Sequence, residues 1–510
     1  MLLAAMKKIT AVQIAVITSG APAPPLRGFS RGPGKQSLRL GLLRRYTPRN
    51  DSRAKDLLLL FLIFFLSSSF CFAQDVKEFP PLTKEDRILI LAPHPDDETI
   101  GTGGIIQEAR RLNIPVKIVY LTNGDHNELA FLVYKKRPVL SSKEFLKMGQ
   151  LRQTEAAAAM KSLGLKDDQL IFLGYPDGGT AGIFTQYWGN SIKPFKNKFT
   201  RAAYVPYKEC LSFHAAYVGE SILKDLENVL LDFQPTRIFV SHPADTNGDH
   251  RAFPLFLQVA LWDLRREIPA AEVYAYLVHV VGWPKPRGFH PEEKLEVPAR
   301  LTKSQLNWCV FTLTEEQIQK KKESISYYRS QLGYSKKYLF TFVRQNELFS
   351  FLPKIFLKEE KNEPIDWDNL ETAQGIVSQS IDELIPNKRF IHSVTYAQQK
   401  GVLYVRVKSE QKENRIVELN IYLIGYKKGV SFSSLPKYRL KITRSGRLQV
   451  FEKERPVIVG NADLESKGGT YFIHFPLNSL DDPDYILTSA RTRLLDLPED
   501  STAWWILKLK

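Results

Sequence analysis

The stretch from Arg87 to Glu98 constrains the fold of this chain most, because an apolar strand-like run ends there in a cluster of ionisable groups. Residues 88–91 read Ile-Leu-Ile-Leu, a pattern typical of a strand buried on both faces of a sheet. One histidine and three carboxylates follow between His94 and Glu98. Burying these groups together is costly unless a cation or a substrate shares their charge. The stretch therefore predicts half of a metal site.

Strand-like and helix-like segments alternate along the chain from this run to about residue 280. Such alternation predicts an α/β fold with a Rossmann-like, mostly parallel sheet and right-handed crossovers. Residues 126–147 are predicted to be irregular, and a long loop is predicted up to about residue 217. The predicted strands are 88–91, 116–121, 169–173, 237–240 and 273–280, and the predicted helices are 105–112, 148–165, 220–233 and 252–267.

Polar clusters follow the predicted strands, at the point where each strand ends. Asp125 follows the second strand, Asp177 follows the third, and His250 lies in the polar run after the fourth. Because the carboxyl ends of parallel strands share one edge of a sheet, these clusters are expected to converge there. We therefore predict that Asp125 and Asp177 contact the substrate.

The residue types in these clusters predict a catalytic zinc site. His94 and Asp97 are three residues apart on a predicted turn, and His250 could supply a third ligand. Two imidazoles and one carboxylate with an open position for water are typical of catalytic zinc. Asp96 is then placed to act as a general base. The spacing alone leaves open a simple turn in which an aspartate caps the next helix.

Several motifs, in order, resemble the PIG-L/LmbE family of zinc-dependent N-acetylglucosaminyl de-N-acetylases. Residues 92–98 resemble the family's A-H-P-D-D-E signature with Pro93 inserted, residues 249–252 resemble the end of H-P-D-H-x-A, and residues 152–155 resemble R-x-x-E. The similarity runs over roughly residues 85–352. It implies that His94, Asp97 and His250 bind zinc, that Asp96 is the base, and that Arg152 holds sugar hydroxyls.

The chain departs from the family pattern at one position. Asn247 stands where the family has the first histidine of H-P-D-H, which the resemblance implies would stabilise the tetrahedral oxyanion. An amide can donate a hydrogen bond to an oxyanion, but it cannot donate a proton as an imidazolium does. His242, five residues earlier, is the alternative that we predict for this role.

The N-terminal segment predicts export. Arg53 and Lys55 precede an apolar run over residues 57–66, and Ala73 supplies a small residue at a cleavage position, which is typical of a secretory signal. The run up to Phe72 is also long enough for an uncleaved membrane anchor. Residues 1–50 are predicted to be disordered, and an extended n-region, a transit-like extension or an upstream start would each account for them.

The charge distribution and the cysteine content limit the classes of protein to which this chain can belong. The net charge is +16, but residues 1–50 carry nine basic and no acidic residues, which leaves 62 basic against 55 acidic residues elsewhere. That modest excess, with no recognisable motif, gives no indication of nucleic-acid binding. The three cysteines are Cys71, Cys210 and Cys309. A Cys210–Cys309 bridge is conceivable, although two unrelated thiols are favoured and a disulfide framework is excluded.

The remaining segments predict an aromatic loop and a second domain. Aromatic residues after Asp177 are expected either to stack on sugar rings or to pack within the loop; they are Phe184, Tyr187, Trp188, Phe195, Tyr204 and Tyr207. Residues 314–332 are predicted to form one helix. Later strand-like runs at sandwich-like spacing predict a C-terminal β-sandwich, with Trp504 and Trp505 in its core. Glycan binding would be one use of such a domain, although the fold specifies none.

The sequence thus predicts four segments and an exported zinc-dependent N-deacetylase of an N-acetylated glycan or glycoconjugate. A zinc amidase acting on another amide, such as a thiol-glycoside conjugate, and a catalytically lapsed glycan-binding protein of the cell envelope are the alternatives. The predicted segments are a basic extension with a signal peptide or anchor (1–73), an LmbE-like deacetylase domain (74–354), a linker (355–388) and a β-sandwich (389–510).

Overall fold

The computed structural model describes residues 76–136, 140–189, 192–302, 306–361, 363–370, 372–373, 376–378, 390–409, 418–494 and 497–509. The predicted extension with its signal or anchor, and residues 379–389 of the predicted linker, lie outside these ranges. Asp75–Lys510 form one compact unit. Within the described ranges, no helix combines the length and the apolar character needed to cross a membrane.

An eight-stranded, mostly parallel sheet occupies the first part of this unit. Its strand order is β1-β7-β8-β6-β5-β2-β3-β4, and β8 alone runs antiparallel to its neighbours β6 and β7. This confirms the predicted Rossmann-like sheet. In chain order its strands are β1 Lys77–Glu78, β2 Ile88–Ala92, β3 Val116–Thr122, β4 Leu170–Tyr175, β5 Arg237–Ser241, β6 Glu272–Tyr276, β7 Trp308–Thr312 and β8 Asn346–Ser350.

Eight α-helices lie among the described residues of this part, and three of the predicted assignments are wrong. Residues 126–147 are not irregular: Asn127 caps one helix there, and Ser141 begins another with its amide bonded to Glu144. The predicted loop contains a short helix, and the predicted helix 314–332 is two helices. They are α1 Asp97–Arg111, α2 Glu128–Lys135, α3 Ser142–Ser162, α4 Thr180–Gln186, α5 Gly219–Phe233, α6 Gly248–Asp263, α7 Glu315–Ile325 and α8 Arg329–Phe340.

Strand β2 is buried on both faces, as its apolar run predicts. Ile88 and Ile90 pack in one hydrophobic cluster, and Leu89 and Leu91 pack in a second cluster on the opposite face. Alternate side chains of a strand point to opposite faces, so a continuous apolar run suits a strand covered by helices on both sides. This rigid central strand delivers the ionisable cluster that follows it to the edge of the sheet.

The C-terminal part consists of two largely antiparallel sheets, which confirms the predicted β-sandwich. One contains β10, β12, β13, β18 and β19, and the other contains the remaining strands. These strands are β9 Lys354–Leu357, β10 Thr372–Ala373, β11 Ile376–Ser378, β12 Ile391–Gln399, β13 Val402–Ser409, β14 Glu418–Tyr426, β15 Lys437–Ile442, β16 Leu448–Glu452, β17 Arg455–Val457, β18 Asp463–Lys467, β19 Thr470–Pro476, β20 Tyr485–Leu494, β21 Leu497–Thr502 and β22 Trp505–Leu509.

The segment expected to be a linker contributes to these sheets. Strand β9 pairs in parallel with β22, and β11 pairs with β21, so the polar composition of residues 355–388 was a poor indicator of an unstructured connection. Trp504 and Trp505 are buried, as predicted. Cys210 and Cys309 are both buried and unbridged, which confirms the expectation of two separate thiols.

The two parts share a hydrophobic core. Phe253 and Phe256 of α6 belong to the same buried cluster as Ile424, Trp504 and Ile506 of the C-terminal strands. Helix α6 also carries the predicted metal ligand His250. The C-terminal sheets therefore pack against an element of the predicted metal site.

Candidate active site

The predicted convergence of polar residues at the carboxyl edge of the sheet is present. A cavity of about 440 Å³ opens there, between the ends of strands β2, β4 and β5 and helix α8. Its lining includes His94, Asp96, Asp97, His126, Asn127, Arg152, Asp177, Asn247, Gly248, His279, Gln331, Ser335 and Tyr338. A cavity of this size accommodates a small organic ligand.

Three predicted metal ligands meet beside this cavity. His94 Nδ1 lies 3.2 Å from His250 Nε2, and Asp97 Oδ2 lies 3.3 Å from His94 Nδ1 and 3.0 Å from His250 Nε2. Zinc bonds of about 2.0–2.1 Å in tetrahedral geometry place ligand atoms about 3.3 Å apart. The three atoms therefore form a triangle of the right size for one zinc ion, and the donor set fits that metal.

One nitrogen of each imidazole points away from the triangle, and we call it the outward-facing nitrogen. Each of these two nitrogens lies next to a carboxylate. Asp249 Oδ2 lies 3.2 Å from His94 Nε2, and Asp245 Oδ2 lies 3.3 Å from His250 Nδ1. Histidines that bind metals commonly have such a carboxylate partner, which fixes the ring orientation. Asp249 is itself held by the amides of Gly178 and Thr180 and by the Thr180 hydroxyl. Sequence analysis missed both aspartates, although both lie in the polar run after strand β5.

These two carboxylates also belong to other groups that could hold a cation. Among the described residues, Asp245, His250 and His279 form one such group, and His94, Asp177 and Asp249 form another. Each uses the outward-facing nitrogen of a histidine whose other nitrogen already belongs to the triangle. Among these three groups of described residues, the triangle is the one that unites His94 with His250.

Asp96 is held next to the triangle by an unusual backbone conformation and by Arg152. Its φ of 125° lies in a region that residues other than glycine seldom adopt, and such conformations concentrate at functional sites. Arg152 Nη2 lies 3.1 Å from Asp96 Oδ2 and donates to the carbonyl of Pro95. Gly124 makes room for this guanidinium, since a Cβ there would lie 1.9 Å from Arg152 Nη1.

Burial and neighbouring charges shift the pKa values of these groups strongly. Burial raises the pKa of Asp96 to about 7, with the Arg152 charge acting in the opposite direction. Burial alone would lower the pKa of His250, but Asp245 and Asp97 raise it to about 9. Burial also acts to lower the pKa of His94, but Asp177 holds that pKa well above its usual value. The neighbouring carboxylates thus raise the pKa of both imidazoles, against the effect of burial.

The other predicted site residues occupy different positions. Asp177 lines the cavity, accepts a hydrogen bond from the His126 amide, and lies 3.3 Å from His94 Nε2. Asn247 also lines the cavity, where its side chain caps helix α6 by accepting from the Asp249 amide. Asp125 is buried, accepts from the Tyr207 hydroxyl, and is absent from the cavity lining. The structure therefore does not place Asp125 on this cavity, and its contact with substrate stays a prediction.

His242 is not positioned to replace the missing histidine. It is fully buried, accepts from the Ala244 amide through Nδ1, stacks on Trp308, and is absent from the cavity lining. His279 lines the cavity instead, with its ring 4.5 Å from that of His250 and its Nδ1 3.3 Å from Asp245 Oδ1. His279 was missed in the sequence because it falls within the predicted strand 273–280 and carries no motif.

The aromatic residues of the long loop mostly pack within the protein. Phe184, Trp188 and Tyr207 are buried, which favours the self-packed interpretation for these three. Tyr204 is 48% exposed, but it is absent from the cavity lining. The expected aromatic platform for sugar rings is therefore not formed by these four side chains.

Metal affinity is expected to rise with pH. Below about pH 9, His250 holds a proton that a metal ion must displace, so affinity should increase about tenfold per pH unit for each proton displaced. Chelator competition for zinc between about pH 6 and pH 8 measures this slope. An affinity that does not change with pH would contradict the assignment of His250 as a ligand that must lose a proton before it binds the metal.

Comparisons with known proteins agree with this geometry. Residues 89–261 match the family model described as PIG-L, GlcNAc-PI de-N-acetylase. The 1D-myo-inositol 2-acetamido-2-deoxy-alpha-D-glucopyranoside deacetylase of Mycobacterium sp. (strain KMS) is 36% identical over 98 residues, which are 19% of this chain and 30% of that relative. The same-named protein of Mycolicibacterium smegmatis is 34% identical over 100 residues, which are 19% of this chain and 33% of that relative. The chain thus spans about a third of the length of the curated relatives it matches.

Solved structures give weaker overall similarity. N,N'-diacetylchitobiose deacetylase from Pyrococcus horikoshii is 18% identical with a TM-score of 0.33, over 60% of this chain and 94% of that chain. A deacetylase from the biosynthesis pathway of teicoplanin is 13% identical with a TM-score of 0.34, over 52% of this chain and 96% of that chain. These low scores carry no conclusion about activity. Residues 89–261, which include every residue of the metal triangle, are thus similar to the PIG-L family model.

Proposed function

We propose that this chain is a zinc-dependent N-deacetylase that hydrolyses the acetamide of an N-acetylglucosamine-type sugar and releases acetate and a free amine. The observation that carries this proposal is the triangle of His94 Nδ1, Asp97 Oδ2 and His250 Nε2 with the Asp96 carboxylate beside it. The PIG-L match over residues 89–261 supports the same reaction class.

His94, Asp97 and His250 would hold the zinc ion. When bound, zinc supplies a Lewis acid that polarises an amide carbonyl and makes water more acidic. Asp245 and Asp249 orient the two imidazoles through their outward-facing nitrogens. The protein therefore contributes a fixed ligand set whose rings are prevented from turning away from the cavity.

Asp96 moves the proton in the proposed reaction. Its carboxylate takes a proton from the attacking water and returns it to the nitrogen of the departing amine. A pKa of about 7, raised by burial, suits a group that must both accept and donate a proton near neutral pH. Arg152 keeps the carboxylate in place, and because its Nη1 and Nη2 donate to backbone carbonyls, its proposed contact with sugar hydroxyls is secondary to this role.

His279 and Asn247 face the same cavity and are the candidates for stabilising the oxyanion. His279 carries an imidazole supported by Asp245, whereas the Asn247 side-chain oxygen is committed to the cap of α6 and leaves its amide nitrogen as a donor. Hydrogen-bond donors fixed at the position of developing negative charge commonly contribute about 10²–10³-fold in rate. We assign the larger contribution to oxyanion stabilisation to His279.

An uncharged sugar is the substrate class that the cavity favours. The lining carries Asp96, Asp97 and Asp177, with Arg152 as the one lysine or arginine side chain among the described lining residues. The deacetylase relatives named above act on an inositol-linked acetamido sugar by name. A glycan or glycoconjugate of this type is our proposal, and an amide of another kind, such as a thiol-glycoside conjugate, is the second candidate because the named relatives act on a small glycoside.

Export remains our proposal for the location of the protein. It rests on the basic flank, apolar run and small residue between Arg53 and Ala73, which are features of the sequence alone. An extracellular or cell-envelope glycan would be accessible to an exported or anchored enzyme.

Acetate release tests the proposed reaction directly. The full chain should release acetate from at least one member of a panel of chitooligosaccharides, acetylated exopolysaccharides and acetamido glycolipids. Chelation should abolish the release and added zinc should restore it. Release from thiol-glycoside amides alone would favour the second candidate, and chelator-insensitive release would contradict the metal-dependent mechanism.

Two substitutions separate the base from the metal ligands. Asp96→Asn should keep bound zinc but lower kcat by about 10²–10⁴-fold, because an amide cannot take up the proton. His250→Ala should lose both zinc and activity, since it removes a ligand. Metal content and steady-state kinetics measure the two effects. Equal loss of zinc in both variants would show that the assigned roles are wrong.

Substitution can distinguish the two candidates for stabilising the oxyanion, His279 and Asn247. His279→Ala should lower kcat by about 10²-fold with little change in KM. Asn247→Ala should mainly lower the free energy of unfolding, by about 1 kcal/mol, because it removes a helix cap. Steady-state kinetics and denaturant unfolding compare the two variants. A larger fall in kcat for Asn247→Ala than for His279→Ala would reverse the assignment.

A further inference from the structure

The loop between strand β5 and helix α6 is held by residues that lie far outside the matched family domain. This loop, residues 242–247, carries Asp245, and the helix that follows carries the metal ligand His250. The C-terminal strands contact the loop and the first turn of the helix at two points. Ser489, Ser501, Thr502 and Trp504 make these contacts, and all four follow residue 261, where the family match ends.

Arg251 makes the first of these contacts. It directly follows His250, is 2% exposed, and lies in the first turn of α6. Its Nη1 donates to the Asp245 carbonyl at 3.3 Å and to Ser501 Oγ at 3.3 Å. Its Nη2 donates to Thr502 O at 2.8 Å and to Ser489 Oγ at 3.1 Å. One guanidinium thus joins the loop to strands β20 and β21.

Trp504 makes the second contact. Its backbone amide donates to the Pro243 carbonyl at 3.3 Å. Its side chain packs in the same hydrophobic cluster as Phe253 and Phe256 of helix α6. The loop is therefore bonded to the C-terminal strands near its beginning, at Pro243, and near its middle, at Asp245.

Asp245 transmits the position of the loop to the metal triangle. Its carboxylate accepts from the amides of Asn247, Val278 and His279. The same carboxylate lies 3.3 Å from His250 Nδ1, and so orients the ring whose Nε2 completes the triangle. A shift of the Asp245 backbone would therefore rotate or displace a metal ligand.

We propose that Arg251 is a positioning residue through which the C-terminal strands set the geometry of the metal site, so that this part of the chain is integral to the active site and is not a detachable binding module. The inference rests on the proposed function, because it requires that His250 bind a metal ion. A rigid fork of donors suits this role, since one guanidinium reaches four acceptors in fixed directions. Without it, each of these buried acceptors would lose one donor, and no direct bond would join the Asp245 carbonyl to Ser501 through a shared guanidinium.

Metal binding by the full chain tests this proposal. Arg251→Met removes every donor but keeps an apolar stem, and the double variant Ser489→Ala with Ser501→Ala removes two acceptors but keeps the guanidinium. Both variants should weaken zinc affinity, with about a tenfold loss for Arg251→Met, as for other groups that hold metal ligands in place. Both should also alter the visible absorption spectrum of the cobalt-substituted protein, which reports ligand geometry.

Tyr426→Phe is the matched control. It removes the Tyr426 hydroxyl bond to Asp263 Oδ1, which joins the same helix to the C-terminal sheets at the end remote from His250. Thirteen residues of helix separate Asp263 from His250, or about 20 Å. This variant should leave metal affinity and the cobalt spectrum unchanged, even if its thermal unfolding temperature falls.

The outcomes separate this inference from the proposed function. A wild-type chain that binds neither zinc nor cobalt overturns both. Wild-type metal affinity and spectrum in Arg251→Met, or in the serine double variant where Arg251→Met does not fold, overturn the positioning role alone. Equal effects in Tyr426→Phe also overturn it, because they would indicate a general consequence of weakening the contact between the two parts.

Discussion

The architecture of this site depends on the contacts of one carboxylate oxygen, Asp97 Oδ2, with two imidazole nitrogens, His94 Nδ1 and His250 Nε2. Buried carboxylates and imidazoles tolerate such proximity only when their charges compensate one another or are shared with a cation. His94 and His250 each lie between carboxylates, and the raised pKa values of both rings express that compensation. A divalent cation bound in the triangle would likewise compensate the negative charge of these carboxylates.

The parallel sheet makes this arrangement possible. His94 and His250 are 156 residues apart in the chain, yet strands β2 and β5 are direct neighbours in the sheet. Parallel pairing aligns the carboxyl ends of the two strands, so the segments that follow them emerge side by side. Burial of β2 on both faces then removes freedom from the turn that carries Asp96 and Asp97. Fold and site are thus linked by one feature of the sequence, an apolar run that ends in charged residues.

The features of the fold and of the site that could be predicted from the sequence are those that depend on local patterns of residues and on the ends of strands. The apolar runs of the sheet and the convergence of polar residues at its carboxyl edge follow from such patterns, and the resemblance to the PIG-L/LmbE family added His94, Asp97 and His250 as a ligand set, whereas the contact between Asp96 and Arg152 was not predicted. Contacts that depend on tertiary packing were not accessible in the same way. His279 falls within the predicted strand 273–280 and carries no motif, His242 stacks on Trp308, and Asp125 is bonded to a tyrosine from a distant loop. The contribution of β9 was hidden because its pairing partner, β22, lies about 150 residues away.

The account is tested most directly by locating the metal. A crystal of the full chain grown with zinc, with anomalous diffraction recorded on both sides of the zinc absorption edge, would give the position of the ion. The account predicts one strong peak within about 2.0–2.2 Å of His94 Nδ1, Asp97 Oδ2 and His250 Nε2. A peak among Asp245, His250 and His279, a peak among His94, Asp177 and Asp249, or no peak at any of these residues would contradict it.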